Sequence, residues 1–447
     1  MWVKFKIESN DQDIIFLPLS MKGRFIGPVS VSFGGKTIDA AVMYSEFFDL
    51  SEGNSYENPS IIGISDKLKE KLYIPEILTY RIVIDGSAIS IGPVIGLLLG
   101  IHTHRYNPKH MKKYSDRFGI YEKVGGLIYA FSPKSVNWKK KIAYGLFYNT
   151  TTAEWEYGCF PLPEVIYRRD FHSSPKLVKK LIKFTSNKFF NSHRFTKFEL
   201  YNYISKNSEL IGYLPPTQLT QNFEQVKKFI DANTRIILKP VDLSRGRGIC
   251  IIEKIDTVYK ITDYRFKEPT VSTFKDAQSL ENFFNINQSL FNKYLIQKYL
   301  SLARIGKSLF DIRVVMQKNK EKLWRCSGIE CRVSSDDSHL TNISRGGYAL
   351  RLDDALNKAF GSDYETIPDK INSFCAKFCE YMDLMGEHFS EFGIDIAVDT
   401  NKNLWLIEAN VFPSFKGFKK IDRQTYLAIR YEPFLYALSL TKFGSLN

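Results

Sequence analysis

The chain has 447 residues, of which 44% are hydrophobic, 25% charged and 14% aromatic, and its formal net charge is +14. This length allows two or three domains with buried cores, and the composition excludes a disordered chain. The N-terminal sequence MWVKFKIESNDQD lacks the apolar core of a signal peptide, and the apolar stretch at residues 87–101 is too short to span a bilayer. We therefore expect a cytoplasmic protein with no membrane span.

Short β-strand patterns fill the first part of the chain, in VKFKI, DIIFLPL and PVSVSFGG, and one short helix is expected around DKLKEKL. These patterns predict an N-terminal β-rich domain over residues 1–90. The next segments, ISIGPVIGLLLG, a polar stretch and GGLIYAFSP, follow the order strand, helix, strand. This order predicts a small α/β domain over residues 91–175.

The positive charge is densest in residues 175–197, PKLVKKLIKFTSNKFFNSHRFTK. Lysines interleaved with phenylalanines occur on nucleic-acid surfaces, but an amphipathic helix with a solvated basic face explains the pattern as well and is favoured. Nucleic acid is therefore not the expected partner. The six cysteines include no C-x-x-C pair and suggest neither zinc nor a disulfide framework.

Helix and strand patterns alternate again over residues 176–447. FEQVKKFIDAN predicts an amphipathic helix, and RIILKP, GRGICII and YLIQKYL are typical of strands. FDIRVVMQKN and KLWRCSGIECRV predict a hairpin. A long helix is expected from Thr366 to Leu384, followed by a second hairpin within residues 393–410.

The second hairpin is the strongest candidate for a metal site. Its two alternating apolar runs flank a polar turn, Asp399 to Asn403, and pairing would place Asp395 across from Glu408 and Asn410. Two carboxylates and an amide oxygen form the oxygen-only site that Mg²⁺ prefers. An ordinary surface hairpin is the alternative.

Other polar residues on neighbouring strands suggest a nucleotide. Lys239 ends one strand pattern and precedes the glycine-containing turn of residues 244–248, which can place N–H groups and a cation along phosphates. The turn is not a Walker A loop, and a plain hairpin turn remains the alternative. Asp311 and Arg313 share one face of an apolar strand, and Arg332 is expected to point into the same cleft.

The order of these motifs resembles the ATP-grasp superfamily over roughly residues 180 to 430, and most closely its ligases that add glutamate to peptide or protein C-termini. The resemblance implies ATP and Mg²⁺, with Mn²⁺ as an alternative. Arg245 and Arg247 depart from the small residues usual in that family's glycine loop. By this resemblance the residues that contact nucleotide are Lys197, Lys239, Arg245, Gly246, Gly248, Gln297, Lys298, Tyr299, Asp311 and Asn342. The implied metal ligands are Asp395, Glu408 and Asn410, and the implied catalytic residues are Arg313 and Arg332.

Over nearly its full length the chain also resembles the YheC/YheD group of endospore coat-associated proteins, through WVKF, GGLIYAFSPKSVNW, FPLPEVIYRR and FDIRV. This resemblance implies a spore-forming bacterium, association with the forespore or spore coat, and spore-coat proteins as candidate partners. The patterns along the chain and the ATP-grasp resemblance together predict an α/β (α+β) fold. An ATP-grasp domain over residues 176–447, with a nucleotide cleft between two subdomains, would follow the two smaller domains.

The expected activity is ATP-dependent ligation, in which a carboxylate becomes an acylphosphate and an amine then forms an amide. The expected substrate is an anionic carboxylate compound, such as an amino acid or peptide, which the net charge of +14 would attract. Three alternatives remain: an ATP-binding coat protein without turnover, a nucleic-acid-binding protein, and a kinase that stops at phosphate transfer.

Overall fold

The computed structural model describes residues 1–170, 172–242, 248–266, 268–335 and 346–445. Within these ranges the chain is a mixed α/β protein whose four main β-sheets follow one another along the sequence. No helix in them is long and apolar enough to cross a lipid bilayer. The predicted α/β (α+β) class is confirmed.

The first sheet closes into a barrel. Its elements are β1 Trp2–Glu8, β2 Ile14–Pro18, a 3-10 helix Leu19–Met21, β3 Val29–Phe33, β4 Lys36–Ser45, β5 Ser60–Ser65, α1 Asp66–Leu72, β6 Tyr80–Asp85 and β7 Ala88–Gly92. The strand order is β1-β5-β2-β4-β3-β7-β6, and β6 pairs back onto β1. Alternation sends Val3 and Phe5 of β1 inward and leaves Lys4 and Lys6 exposed, which fills the barrel with apolar side chains.

The second sheet combines parallel and antiparallel pairs. Its elements are β8 Val94–Leu98, 3-10 helices Thr103–Arg105 and Lys112–Ile120, α2 Pro108–Met111, α3 Tyr121–Val124, β9 Leu127–Asn137, β10 Ile142–Asn149, β11 Glu154–Pro161, β12 Val165–Arg168, α4 Pro175–Phe184 and β13 Phe189–Phe190. The order is β11-β10-β9-β8-β12-β13, with β8 parallel to β9 and β12. Barrel and sheet share one hydrophobic core, which also includes Phe434. The three-domain division stays a prediction.

The third sheet lies in the order β14-β19-β15-β16-β17-β18. This segment comprises α5 Lys197–Ile204, a 3-10 helix Ile211–Tyr213, β14 Thr217–Leu219, α6 Phe223–Asn233, β15 Arg235–Pro240, β16 Cys250–Ile255, β17 Val258–Asp263, β18 Thr270–Phe274, α7 Ala277–Ile286, a 3-10 helix Gln288–Leu290 and β19 Tyr294–Lys298. The helix predicted from FEQVKKFIDAN is confirmed as α6, which buries Val226, Phe229 and Ile230.

The fourth sheet carries the candidate site. Its elements are β20 Arg304–Ile305, β21 Ser308–Lys318, β22 Trp324–Val333, β23 Tyr348–Leu350, α8 Leu352–Phe360, α9 Ile367–Asp383, β24 Glu391–Val398, β25 Leu404–Asn410, α10 Phe418–Ile421 and α11 Arg423–Ser439. The order is β23-β22-β21-β24-β25, and β20 pairs with β21. The predicted hairpins are β21–β22 and β24–β25, and the predicted long helix is α9; all three are confirmed.

Residues 299–303 connect the third sheet to the fourth. The N–H of Tyr299 donates to the carbonyl of Arg235 (3.1 Å) in the third sheet, and the N–H of Ala303 donates to that of Val398 (2.9 Å) in the fourth. These two hydrogen bonds hold residues 299–303 against the third sheet at one end and the fourth sheet at the other.

The C-terminal helix α11 ties the fourth sheet to the N-terminal half. Arg430 forms an ion pair with Asp116, and the Tyr426 hydroxyl donates to the same carboxylate (2.8 Å). Because the helix also packs on β21 and β12, it holds the two halves of the chain together.

Candidate active site

The last hairpin presents its polar side chains on one face of the fourth sheet. Asp395 pairs with Glu408 and Gly393 pairs with Asn410, whereas a β-bulge at Ile407 shifts the register beyond this point. Cross-strand partners share a face, so the bulge leaves Asp395, Glu408 and Asn410 on the same side. Asp395 is buried, and the other two are half-buried. The predicted convergence of these three residues is therefore present in the strand register.

Two arginines hold the Asp395 carboxylate. Arg313 donates to both of its oxygens, at 2.8 Å for the Nη2–Oδ2 bond, and Arg332 Nη2 lies 2.8 Å from Oδ2. Arg332 also pairs in bidentate fashion with Asp311, at 2.6 and 2.7 Å. All four side chains come from neighbouring strands β21, β22 and β24, so two guanidiniums and two carboxylates form one balanced, largely buried cluster.

The charge state of Asp395 follows from these contacts. Burial alone would raise the pKa of the carboxyl, but the Arg313 and Arg332 guanidiniums hold it below the ordinary value. Gly393 makes room for this arrangement, because a Cβ there would lie 2.4 Å from Pro413 and 3.3 Å from the Cδ of Arg313. Asp395 is therefore ionised at neutral pH and already paired.

Two lysines on other elements interact electrostatically with Glu408, the cross-strand partner of Asp395. Lys239 on β15 donates to Gln297 Oε1 (2.5 Å), and Gln297 Nε2 donates to Thr217 Oγ1 (2.7 Å). Burial lowers the pKa of Lys239 to about 8; the Lys197 ammonium adds to this effect and the Glu408 carboxylate opposes it. Burial also lowers the pKa of Lys197, with Glu408 again opposing. Electrostatic interactions thus connect side chains of α5, β15 and β25.

Glu330 belongs to the same face, and the sequence reasoning assigned it no role. It pairs across the strands with Arg313 and is 2% exposed. Its Oε2 has no hydrogen-bond partner among the described residues, and a Cβ on Gly417 would lie 2.0 Å from that oxygen. Burial raises the pKa of Glu330 to about 7, although Arg313 and Arg332 oppose the rise. The available signal was its position two residues before Arg332, which places both on one strand face.

A further buried carboxylate connects this face to the N-terminal half. Glu391 on β24 is fully buried, forms an ion pair with Arg169 and accepts hydrogen bonds from Gln317 Nε2 (2.9 Å) and the Tyr167 hydroxyl (3.2 Å). Arg169 Nη2 also donates to the carbonyl of Pro413 (2.6 Å), just after Asn410. The residue that follows β12 therefore supports the chain that follows the predicted metal ligands.

Comparison with known families decides the class of this fold. The family model described as YheC/D-like ATP-grasp matches residues 186–440. The chain belongs to the YheC/D-like ATP-grasp family. It is 25% identical over 428 residues to the endospore coat-associated protein YheD of Bacillus subtilis (strain 168), covering 91% of this chain and 89% of that protein. It is 23% identical over 282 residues to YheC of the same organism, covering 62% and 77%.

Solved ATP-grasp structures show more distant similarity to this YheC/D-like chain. The ATP-grasp ligase PsnB complexed with a minimal precursor is 13% identical with a TM-score of 0.46, covering 77% of this chain and 99% of that one. D-alanyl-alanine synthetase A from Vibrio cholerae is 11% identical with a TM-score of 0.42, covering 76% and 98%.

Three predicted nucleotide contacts, Arg245, Gly246 and Asn342, lie outside the described residues of this YheC/D-like domain. Gly248 is described and lies two residues before β16, with a φ of +74°, a left-handed conformation that favours glycine. Its role toward phosphate stays a prediction.

The strand predicted to meet the base is β19 with its extension. The N–H of Lys298 donates to the carbonyl of Pro216 (3.0 Å) and that of Tyr299 to Arg235 (3.1 Å), so both donors are used within the sheet. The Tyr299 ring lies against the Arg235 guanidinium at 4.0 Å. Contact between this strand and a base stays a prediction.

The donor chemistry of the predicted metal triad fits Mg²⁺. In the described part of the chain, no group of three or more His, Cys, Asp or Glu side chains is placed to hold a metal ion, and the triad contains two carboxylates and an amide. The Asp395 carboxylate is shared by two arginines, whereas the side chains of Glu408 and Asn410 form no hydrogen bond with other described residues. Such an oxygen set suits a hard cation whose other ligands come from phosphates.

Proposed function

We propose that the chain is an ATP- and Mg²⁺-dependent ligase that joins a carboxylate to an amine through an acylphosphate. The observation that carries this proposal is the electrostatic interaction of Lys197 and Lys239 with Glu408, which pairs across the strands with Asp395 of the arginine cluster. Membership of an ATP-grasp family supports it.

Lys197 and Lys239 would bind the ATP phosphates. Both ammonium groups are disfavoured by burial, and that of Lys239 also by repulsion from Lys197. A phosphate between them would relieve both effects, and its binding would raise the pKa of each lysine. ATP binding at this position therefore stabilises the charged lysines.

Asp395, Glu408 and Asn410 would hold Mg²⁺. The ion, when bound, neutralises phosphate charge during phosphoryl transfer. Asp395 already accepts hydrogen bonds from Arg313 and Arg332, so binding of Mg²⁺ by its oxygens would compete with those ion pairs. Glu408 is the carboxylate that the present geometry leaves available.

The reaction would have two steps, transfer of the γ-phosphoryl group to the carboxylate and attack of the amine on the acylphosphate. A carboxylate oxygen bonds to the γ-phosphorus while the bond to the β,γ-bridging oxygen breaks, which gives an acylphosphate and ADP. The amine nitrogen then bonds to the acyl carbon, phosphate leaves, and the amine proton is lost to a base. Arg313 and Arg332 would stabilise the transferred phosphate, because guanidinium groups bind such oxyanions in bidentate fashion.

An ATP-binding protein without turnover is the second candidate. The observation that favours it is the pairing of Asp395 with both arginines. In these ion pairs the predicted metal ligand and the two predicted catalytic residues bind one another instead of metal and substrate. Two curated relatives are called endospore coat-associated. For either candidate we propose a cytoplasmic protein that associates with the forespore or spore coat. As a ligase, it would act on an amino acid or peptide.

Hydroxylamine trapping tests the ligase proposal. The full-length protein is incubated with ATP, Mg²⁺, hydroxylamine and single amino acids or short acidic peptides. An acylphosphate would react with hydroxylamine to give a hydroxamate, and ADP would appear in equal amount. Wild-type protein should give both products with at least one carboxylate, and Lys239→Met should give neither. Lys260→Met, which removes an exposed lysine on β17, is the matched control and should behave as wild type.

The outcomes separate the candidates. If Mg·ATP binds but no carboxylate yields hydroxamate or ADP, the ATP-binding protein without turnover is favoured. A stable phosphorylated product that hydroxylamine does not attack would indicate a kinase. If ATP does not bind, the nucleotide site itself is wrong.

A further inference from the structure

A pocket outside the candidate active site lies between the barrel and the second sheet. Its volume is about 330 Å³, and it is lined by Gly35, Lys36, Thr37, Ile38, Tyr73, Lys139, Lys140 and Lys141. The lining comes from the β3–β4 turn and the start of β4, from the residue that follows α1, and from the β9–β10 turn. No residue of the proposed ATP site contributes to it.

The backbone of Leu162 fixes the two turns against each other. Its N–H donates to the carbonyl of Lys141 (2.9 Å), and its carbonyl accepts from the N–H of Gly35 (2.8 Å). Gly34 is required at this contact, because a Cβ there would lie 2.8 Å from the Leu162 carbonyl oxygen at a φ of +54°. The pocket is therefore built by the fold, and its lysines are held close together by main-chain contacts.

The charges of the pocket are uncompensated. Its lining contains four lysines and no acidic residue. Within the described ranges no carboxylate lies within 4.0 Å of Lys36, Lys139, Lys140 or Lys141. The main chains that carry these lysines are held close together, so an anion bound in the pocket would be attracted by several ammonium groups at once.

The basic helix α4 extends this positive surface. Its Lys180 ammonium lies 4.0 Å from the centre of the Trp138 ring, next to the pocket lysines, and its Phe184 ring lies against Gly35. The basic run that the sequence analysis singled out thus adjoins the pocket and adds to its attraction for anions.

We propose that this pocket binds an anion that carries several phosphate groups and no base. Lysine binds phosphate as a point charge, and four lysines match an anion of several charges. The pocket is at the small end of the range for ligand sites, about 300–1,000 Å³. Tyr73 is the aromatic residue of the lining, and the Lys36 ammonium covers its ring at 4.9 Å, which leaves poor access for a stacked base.

Calorimetric titration with sodium tripolyphosphate at low salt tests the proposal. The full-length protein is first saturated with a non-hydrolysable Mg·ATP analogue, so that the proposed ATP cleft cannot contribute. The pocket variant is Lys36→Ala with Lys140→Ala. The control, Lys260→Ala with Lys358→Ala, removes the same charge from exposed lysines on β17 and α8.

We expect the pocket variant to bind tripolyphosphate about tenfold more weakly and the control to match wild type. Equal weakening in both variants, or in neither, would overturn the proposal. Tighter pocket-dependent binding of a single-stranded oligonucleotide or a glutamate oligomer would overturn the assignment to a base-free phosphate ligand. If the ATP analogue fails to bind, the comparison of the two variants still tests the pocket, so failure of the proposed function is recognised separately.

Discussion

Lys239→Met should make the unliganded protein more stable and at the same time remove its stabilisation by Mg·ATP. Burial holds the pKa of Lys239 at about 8, below the ordinary value of 10.5, so the folded state resists charging this group. The resulting penalty is fully present below about pH 8 and disappears as the pH rises through 10.5. Methionine removes the penalty because it carries no charge.

The size of the effect can be worked from this pKa. At about 1.36 kcal/mol for each pKa unit, the fall from 10.5 to about 8 corresponds to about 3 kcal/mol at pH 7. Part of the residue reaches solvent, which screens this penalty, and loss of the hydrogen bond to Gln297 costs about 1 kcal/mol. We expect a net gain of about 1 kcal/mol. Wild-type protein should gain about 2.7 kcal/mol from Mg·ATP at about 100 times its Kd.

Urea and thermal unfolding at pH 7, with and without Mg·ATP, measure both effects. Lys260→Met is the control, since it removes an exposed lysine from the same sheet, and it should follow wild type in both conditions. If Lys239→Met is less stable than wild type without ligand and still gains from Mg·ATP, Lys239 is a structural residue and the assignment to phosphate is refuted.

Three other substitutions test the neighbouring carboxylates. Glu408→Ala should change unliganded stability by only about 0.5 kcal/mol, because the half-buried side chain forms no hydrogen bond or close ion pair with other described residues. The same substitution should abolish the Mg²⁺-dependent part of ATP binding in calorimetry. Asp395→Asn should lower the free energy of unfolding in urea by about 3 kcal/mol, because two buried guanidiniums lose the carboxylate that they share. An unchanged free energy of unfolding would show that these ion pairs do not stabilise the fold. Burial raises the pKa of Glu330 from 4.5 to about 7, so its stabilising contribution is full below pH 4.5 and lost as the pH rises through 7. Glu330→Gln should therefore be more stable than wild type by up to about 3 kcal/mol at pH 8, and parallel pH profiles would refute this.

Local patterns were enough to predict the hairpin that carries the candidate metal ligands. Alternation by two placed Asp395 opposite Glu408, and the polar turn closes as expected, with the Asp399 carboxylate accepting from the N–H groups of Asn401 and Asn403 (both 2.9 Å). The bulge at Ile407 was not predicted, because nothing in an apolar run such as LWLI marks the extra residue.

Contacts between distant parts of the chain could not be predicted from the sequence. The strand pattern of Asp311, Arg313 and Arg332 indicated one cleft, but not that both arginines would share Asp395. Glu330 was missed because its importance comes from burial under the Gly417 backbone, a tertiary contact. Barrel closure was missed for the same reason, since it depends on pairs such as β1–β5 and β3–β7 that are far apart in sequence.

The central claim is that Mg·ATP binds where Lys197, Lys239 and Glu408 meet. Calorimetric titration of the full-length protein with a non-hydrolysable ATP analogue, with and without Mg²⁺, tests it most directly. We predict one binding site per chain, tighter with Mg²⁺ in the wild type and insensitive to Mg²⁺ in Glu408→Ala. Absence of binding to the wild type, or equal Mg²⁺ dependence in wild type and variant, would contradict the claim.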